Sequence, residues 1–335
     1  MEALISVIVP AYNLEACVAG TLDSVLAQTY RNLQIIVVDD GSQDATGAIV
    51  DEYARRDSRI QVIHKENGGV TGARLRGLAE AEGAFIGFVD GDDYVEPQMF
   101  QRLMENMRTH RADISHCGYQ MVFPNGKIDD YYNTGKMTVQ EGIRGCTDLL
   151  DGSFVEPGLV NKLYRRELFE GLTDWLDPSI RINEDLLMNF YLFRRSKMSV
   201  FEDVCPYHYV LRKGSACVSR INAHKLKDPL RVLHLLEQET AQEPQWNRIV
   251  QRRLIYQLVR VATIRLGEQK EWIRPLRKEA RKELRQRLSK TLKGNACGRK
   301  LKLMALWAAI WPASYGWVHG AYAKLTGVDK KYAVE

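Results

Sequence analysis

The chain has 335 residues, 45% of them hydrophobic and 27% charged, and a formal net charge of +5. These fractions belong to a folded protein and exclude a disordered or wholly membrane-embedded one. The length admits about two ordinary domains, or one large α/β domain with a helical extension. Six cysteines, Cys17, Cys117, Cys146, Cys205, Cys217 and Cys297, form no CxxC pair, which argues against a zinc ribbon or disulfide framework.

The opening segment Met1–Val7 lacks the basic n-region and long apolar h-region of a secretory signal, so the body is expected in the cytosol. Apolar, β-branched runs at Ile5–Val9, Ile35–Val38, Ile60–Ile63 and Phe85–Val89 have the length of buried parallel strands. Between them, Val18, Leu22, Val25 and Leu26 share one helical face, and Ile49 and Tyr53 another. That alternation predicts right-handed crossovers and a sheet covered on both sides, a nucleotide-binding type of half-domain. Asn125-Gly126 predicts a hairpin turn, after which residues 129–225 mix short strands, helices and turns. From about Ala223 the pattern is helical, and Pro275 suits the start of the charged helix Arg277–Arg285.

Two acidic turns close strands at their carboxyl ends, Asp39-Asp40-Gly41-Ser42 and Asp90-Gly91-Asp92-Asp93. In an open α/β sheet ligands collect beyond those ends, so carboxylates on two of them can meet one ligand. Pro10-Ala11-Tyr12-Asn13 follows the first strand and would bring Tyr12 and backbone amides to a flat ring, or simply form a turn. A carboxylate after the second strand can accept the N3–H of a uracil; Asp40 is the first choice and Asp39 the next, while Asp44 caps the following helix. Asn67-Gly68-Gly69 opens a helix in which Arg74, one turn along, can reach a phosphate or anchor the acidic turns. The hard oxygens of Asp90-Gly91-Asp92-Asp93 suit Mg²⁺ or Mn²⁺, completed by substrate phosphates and water, with an ordinary Asp-Gly turn as the competing account.

With Ser6–Asn13, Val38–Ser42, Asn67–Gly69 with Ala73-Arg74, and Asp90–Asp93 in this order, the chain resembles family 2 glycosyltransferases of the GT-A fold, over roughly residues 4–220. The resemblance implies an α/β architecture: a GT-A (Rossmann-like) mixed sheet flanked by helices, with a helical C-terminal extension. It implies a catalytic domain over 1–225, divided into a nucleotide-binding half (1–120) and an acceptor half (121–225), and a basic, aromatic helical region over 226–335. By resemblance Asp40 reads the base, Asp90 lies near ribose and metal, and Asp92 binds Mn²⁺ or Mg²⁺; Pro10, Tyr12, Asn13, Asp39, Asn67, Gly69 and Arg74 join the donor side.

Asn161-Lys162-Leu163-Tyr164 and Asn183-Glu184-Asp185-Leu186 resemble acceptor-side segments of bacterial members, which makes Lys162 and Glu184 substrate-side candidates and Asp185 the catalytic base. A Glu-Asp pair opening an apolar helix is otherwise a common capping feature. In Tyr207–Ser215 the resemblance implies that Arg212 and Ser215 close over the diphosphate with His208 or Tyr209 alongside; a solvated loop is the alternative.

Residues 241–335 carry 21 Lys and Arg against 7 Asp and Glu, whereas the rest carries 26 against 35, so tail and body face different partners. The apolar run Leu303–Pro312 is shorter than the ~20 residues needed to cross a bilayer. Trp307, Trp311, Tyr315, Trp317 and Tyr322 suit a headgroup region, so a helix on the inner leaflet is expected, with packing on the body or in a homo-oligomer as the rival. The expected function is metal-dependent, inverting transfer of a hexose or N-acetylhexosamine from a UDP-sugar to a hydroxyl of a cell-surface glycan or lipid-linked precursor. Two alternatives stand beside it: a sugar-phosphate nucleotidyltransferase, whose usual Gly-rich phosphate loop does not follow the first strand here, and a non-catalytic scaffold with a basic lipid- or nucleic-acid-binding tail. Nucleic acid is not expected, because clustered tryptophans suit lipid better.

Overall fold

The computed structural model describes residues 2–131, 133–172, 176–177, 179–212, 221–264 and 270–326. The chain divides into two compact units, Met1–Arg212 and Lys213–Glu335.

In the first unit the four apolar runs become strands β1 (Ile5–Ala11), β2 (Leu33–Asp39), β3 (Ile60–His64) and β4 (Phe85–Phe88). They are joined by helices α1 (Val18–Leu26), α2 (Thr46–Arg56) and α3 (Gly69–Ala79). All four strands are parallel, in the order β3-β2-β1-β4. Then follow β5 (Tyr94–Val95), α4 (Met99–His110), β6 (Ile114–Val122), β7 (Ile128–Tyr131), β8 (Met137–Glu141), α5 (Arg144–Asp151), β9 (Lys162–Arg165), a 3₁₀ turn, α6 (Glu184–Arg195) and β10 (Met198–Val210). The described strands form one mixed, ten-stranded sheet that continues from β4 through β9, β6 and β10 to β5, with β7 beside β6 and β8 beside β10. β9 runs antiparallel to both β4 and β6 and welds the second half onto the first. The expected turn at Asn125-Gly126 lies in the loop joining β6 to antiparallel β7.

One face of the parallel strands carries Val7, Val9, Ile35 and Val37 against Val18, Leu22 and Val25 of α1, all fully buried. Such side chains contribute roughly 1.5–3 kcal/mol each when withdrawn from water. On the other face α3 comes so close that a Cβ on Gly77 would lie 2.5 Å from Ile8 Cγ2. The register pairs Ala11 with Asp39 and Asp39 with His64, so the carboxyl ends of β1, β2 and β3 finish on one edge, beside the turn that follows β4.

The second unit is helical: α7 (Ala223–Glu239), α8 (Pro244–Thr263), α9 (Lys270–Lys293), α10 (Arg299–Ile310) and α11 (Pro312–Thr326). α7 starts at the expected Ala223, capped by the Asn222 side chain accepting the Lys225 N–H at 3.0 Å. Pro275 corrects the sequence reading: α9 already includes Lys270, which puts Pro275 inside it, about a turn and a half along. At the sixth position of the helix the proline has no N–H to give the Glu271 carbonyl, so α9 runs on without that bond.

Candidate active site

The edge where β1, β2 and β4 end is held by side chains that tie loop to loop. Asn13, in the left-handed region at φ 53, accepts the Gln43 N–H on Oδ1 at 2.8 Å, and its own N–H donates to Ser42 Oγ at 3.0 Å. Tyr12 beside it is exposed, and Pro10 is buried in the strand. The Gly91 N–H donates to the Pro10 carbonyl, an approach so close that a Cβ on Gly91 would meet that oxygen at 2.8 Å.

Asp39 and Asp40 are both buried. Asp39 accepts the Ser42 N–H at 3.0 Å and pairs with His64 Nδ1 at 2.9 Å. Burial pushes its carboxyl up, but the Ser42 and His64 hydrogen bonds outweigh that and hold it below the usual range. Asp40 faces the third strand's end: it takes Lys65 Nζ at 2.5 Å, the Gly68 N–H at 3.0 Å and the Gly69 N–H at 2.7 Å. Asp40 therefore organises the Gly-rich opening of α3 with three of its acceptor positions. Asn67 is exposed in that loop. Lys65 and His64 were missed from sequence; adjacency of parallel β2 and β3 was the signal, since it sets basic residues beside the acidic turn.

Asp90 and Arg74 form the link between the two halves. Arg74, buried on α3, reaches Asp90 Oδ1 at 2.8 Å with one terminal nitrogen and Glu184 Oε1 at 3.1 Å with the other. Burial alone would lower its pKa; Asp90 and Glu184 more than offset that and raise it. Glu184 and Asp185 open α6, behind Asn183 at φ 67, where the helix dipole favours negative charge. Asp185 is partly exposed and accepts the Leu186 N–H at 2.7 Å. Burial and the Asp185 charge push the Glu184 carboxyl up to about 8, against the pull of Arg74. Burial also raises Asp185, while Arg74 and Lys162 restrain it.

The turn after β4 carries three acids at close quarters. Asp92 Oδ2 pairs with Arg212 Nε at 2.8 Å. Asp93 is buried, taking the Tyr207 hydroxyl at 2.5 Å and the Val210 N–H at 2.8 Å; the same hydroxyl accepts the Asp90 N–H at 3.3 Å. Tyr207, the innermost residue of its motif, was missed in favour of its neighbours. Burial, then the charges of neighbouring acids, raise both Asp92 and Asp93. Among the described residues no group of three or more His, Cys, Asp or Glu is disposed to hold a metal by itself. Asp90 and Asp92 nevertheless each keep a carboxylate oxygen outside these pairs, in a turn whose piled negative charge a cation relieves. Hard oxygen donors of this number suit a divalent ion that shares its shell with phosphate and water.

Two candidates lie off this cluster. Lys162 is fully buried in β9, its ammonium donating to the Gly158 carbonyl at 2.6 Å and Asn161 Oδ1 at 2.7 Å, and burial lowers its pKa to about 8. His208 stacks on Tyr94 with ring centroids 4.3 Å apart and sits 3.5 Å from Glu96; burial lowers its pKa. Ser215 lies outside the described residues.

Residues 6–172 match the signature of Glycosyl transferase family 2. The putative teichuronic acid biosynthesis glycosyltransferase TuaG of Bacillus subtilis is 35% identical over 226 residues, covering 67% of this chain and 85% of TuaG. The chain belongs to glycosyltransferase family 2. A further relative, the glycosyltransferase EpsJ of Bacillus subtilis, is 38% identical over 215 residues. That match covers 62% of this chain and 61% of EpsJ, about three fifths of the relative's length. The family's GT-A fold is seen in S. aureus TarS 1-349 crystallised with UDP-GlcNAc: TM-score 0.71, 21% identity, covering 96% of this chain and 91% of TarS.

Proposed function

We propose that this family 2 member transfers a hexose or N-acetylhexosamine, with inversion, from a UDP-sugar to a hydroxyl of a cell-surface glycan or its lipid-linked precursor. The observation that carries the reading is Arg74 bridging Asp90 and Glu184, which joins the donor-side acidic turn to the Glu-Asp pair of α6 in one cluster. TarS, a fold neighbour, binds UDP-GlcNAc, and TuaG is named for teichuronic acid biosynthesis; both support a nucleotide-sugar donor and a cell-wall glycan acceptor.

In this reading Tyr12, Asp39 and Asp40 face the uracil ring, with Pro10, Asn13, Asn67 and Gly69 shaping the loops around it. Asp92, with Asp90 beside it, would hold Mn²⁺ or Mg²⁺. Such an ion supplies positive charge to a diphosphate. Arg212, paired with Asp92 at 2.8 Å, is placed to exchange that carboxylate for a phosphate oxygen. Asp185 takes the proton of the acceptor hydroxyl as its oxygen bonds to the anomeric carbon and the bond to the diphosphate breaks; such general-base help is worth about 10² to 10⁴ in rate. Its raised pKa suits a base working near neutral pH. Lys162 acts on it through its charge, and Glu184 holds Arg74 beside it.

We extend the reading to the inner face of the membrane. Among the described residues no helix is long and apolar enough to cross a bilayer, so attachment there would be peripheral. The test is release of nucleotide from a panel of UDP-, GDP- and dTDP-sugars with Mn²⁺, with Mg²⁺ and with chelator. Metal-dependent release from a UDP-sugar is expected; preference for another nucleotide, or full rate in chelator, contradicts the proposal.

A further inference from the structure

Helix α10 is built inside out. Its buried face is made of Ala305, Ala308 and Ala309, while Leu303, Ile310 and Trp311, at i, i+7 and i+8, point to solvent, and Trp307 between them packs edge-on against Tyr315. Leu303 is 67% and Trp311 65% exposed. On α11, Trp317 and Val318 are exposed as well. A folded chain ordinarily hides such a stripe, and a cluster of large exposed apolar side chains marks a surface that meets something else.

The neighbouring helix says what. On α9, Arg274, Arg277, Lys278, Arg281, Lys282 and Arg285 line one shallow depression. None of the six has an acidic partner within salt-bridge distance among the described residues. Burial lowers the pKa of Arg277, and burial followed by repulsion from Arg277 and Arg285 lowers that of Arg281, so the like charges crowd one another without an anion between them.

Two of these cations are fixed against the apolar surface. Arg285 Nε donates to the Ala309 carbonyl at 3.0 Å, next to exposed Ile310 and Trp311. Arg281 Nε donates to the Ala262 carbonyl at 3.0 Å. The residue after Ala262, Thr263, packs so closely on α11 that a Cβ on Gly316 would lie 2.6 Å from its carbonyl oxygen, one residue before Trp317. Each anchored guanidinium keeps its two terminal nitrogens for another acceptor.

We propose that the joint face of α9, α10 and α11 docks on an anionic phospholipid bilayer, its α9 cations on headgroup phosphates and Trp311, Trp317, Leu303 and Ile310 in the interfacial layer. Phosphate acceptors beside an apolar layer are the chemistry this face complements. A second copy of the chain would bring two cationic stripes together, and a nucleic acid would leave the apolar stripe in water. The inference deepens the inner-leaflet part of the proposed function and uses no residue of the sugar-transfer site.

The full chain is sedimented with vesicles of phosphatidylcholine alone and of phosphatidylcholine mixed in equal parts with phosphatidylglycerol. Wild type should bind the mixed vesicles and not the neutral ones. Arg274→Glu/Lys278→Glu/Lys282→Glu, which alters three exposed side chains, should weaken binding roughly 100-fold or more. Trp311→Ser/Trp317→Ser should weaken it about tenfold while leaving retention on duplex DNA unchanged. Nucleotide-sugar hydrolysis and far-UV circular dichroism report that each variant is folded, and failure of hydrolysis in wild type would count against the transferase alone. Equal sedimentation of wild type with both vesicle types, or full vesicle binding by the tryptophan variant, overturns the proposal; the second result would make the face a general polyanion site.

Discussion

Glu184→Gln isolates the buried carboxyl at the centre of the cluster. Glu184 is buried, 3.1 Å from Arg74, with its carboxyl lifted from an ordinary 4.5 to about 8 by burial and by Asp185. A folded-state value above the unfolded one means the protonated acid is favoured in the fold. Its stability contribution is therefore complete below about 4.5 and is lost as pH rises through about 8. The full difference corresponds to a ceiling of about 5 kcal/mol. Sharing the titration with Asp185 spreads it, so about 2–3 kcal/mol is expected. The substituted amide keeps an oxygen for Arg74 and cannot ionise. The variant should melt like wild type at or below about pH 4.5 and about 5–10 °C above it near about pH 9, with the gap opening steadily between, taking roughly 2–4 °C per kcal/mol for a unit of this size. Thermal unfolding by circular dichroism across that range measures it. Melting curves that run parallel at every pH would refute the argument that Glu184 is held neutral in the fold.

Further outcomes follow from the same contacts. Asp185→Ala should lower transfer by at least about 10²-fold with UDP affinity little changed, read in single-turnover assays. Tyr207→Phe takes the hydroxyl from Asp93 Oδ2 and from the Asp90 N–H and should cost about 1–3 kcal/mol in denaturant unfolding. Gly77→Ala would force a Cβ to within 2.5 Å of Ile8 Cγ2 and should cost about 1–3 kcal/mol by the same measurement, with sugar transfer retained at low temperature.

The parallel half of the sheet was legible because each strand is an apolar, β-branched run stopped by a turn, and the two acidic turns stood at strand ends where ligands gather. The weld was not. β9 is four residues long and begins with Lys162, which reads as a polar substrate contact; only its place between β4 and β6 explains why that ammonium is buried on carbonyl and amide oxygens. The pairing of Arg74 with Glu184, 110 positions apart, follows from the same weld and leaves no local trace. Asp40 reads as a free acid until the register of β2 and β3 sets Lys65 against it. Pro275 misled because a charged helix seemed to need a start there, while the turn before it was already helical.

The central claim is that the acids after β4 and those opening α6 serve one reaction with separate duties. Calorimetric titration of UDP with Mn²⁺ into wild type, Asp92→Ala and Asp185→Ala tests it most directly. One metal-dependent site in wild type, lost in Asp92→Ala and kept in a transfer-dead Asp185→Ala, is the predicted result; equal UDP affinity in all three, or its loss in Asp185→Ala alone, contradicts it.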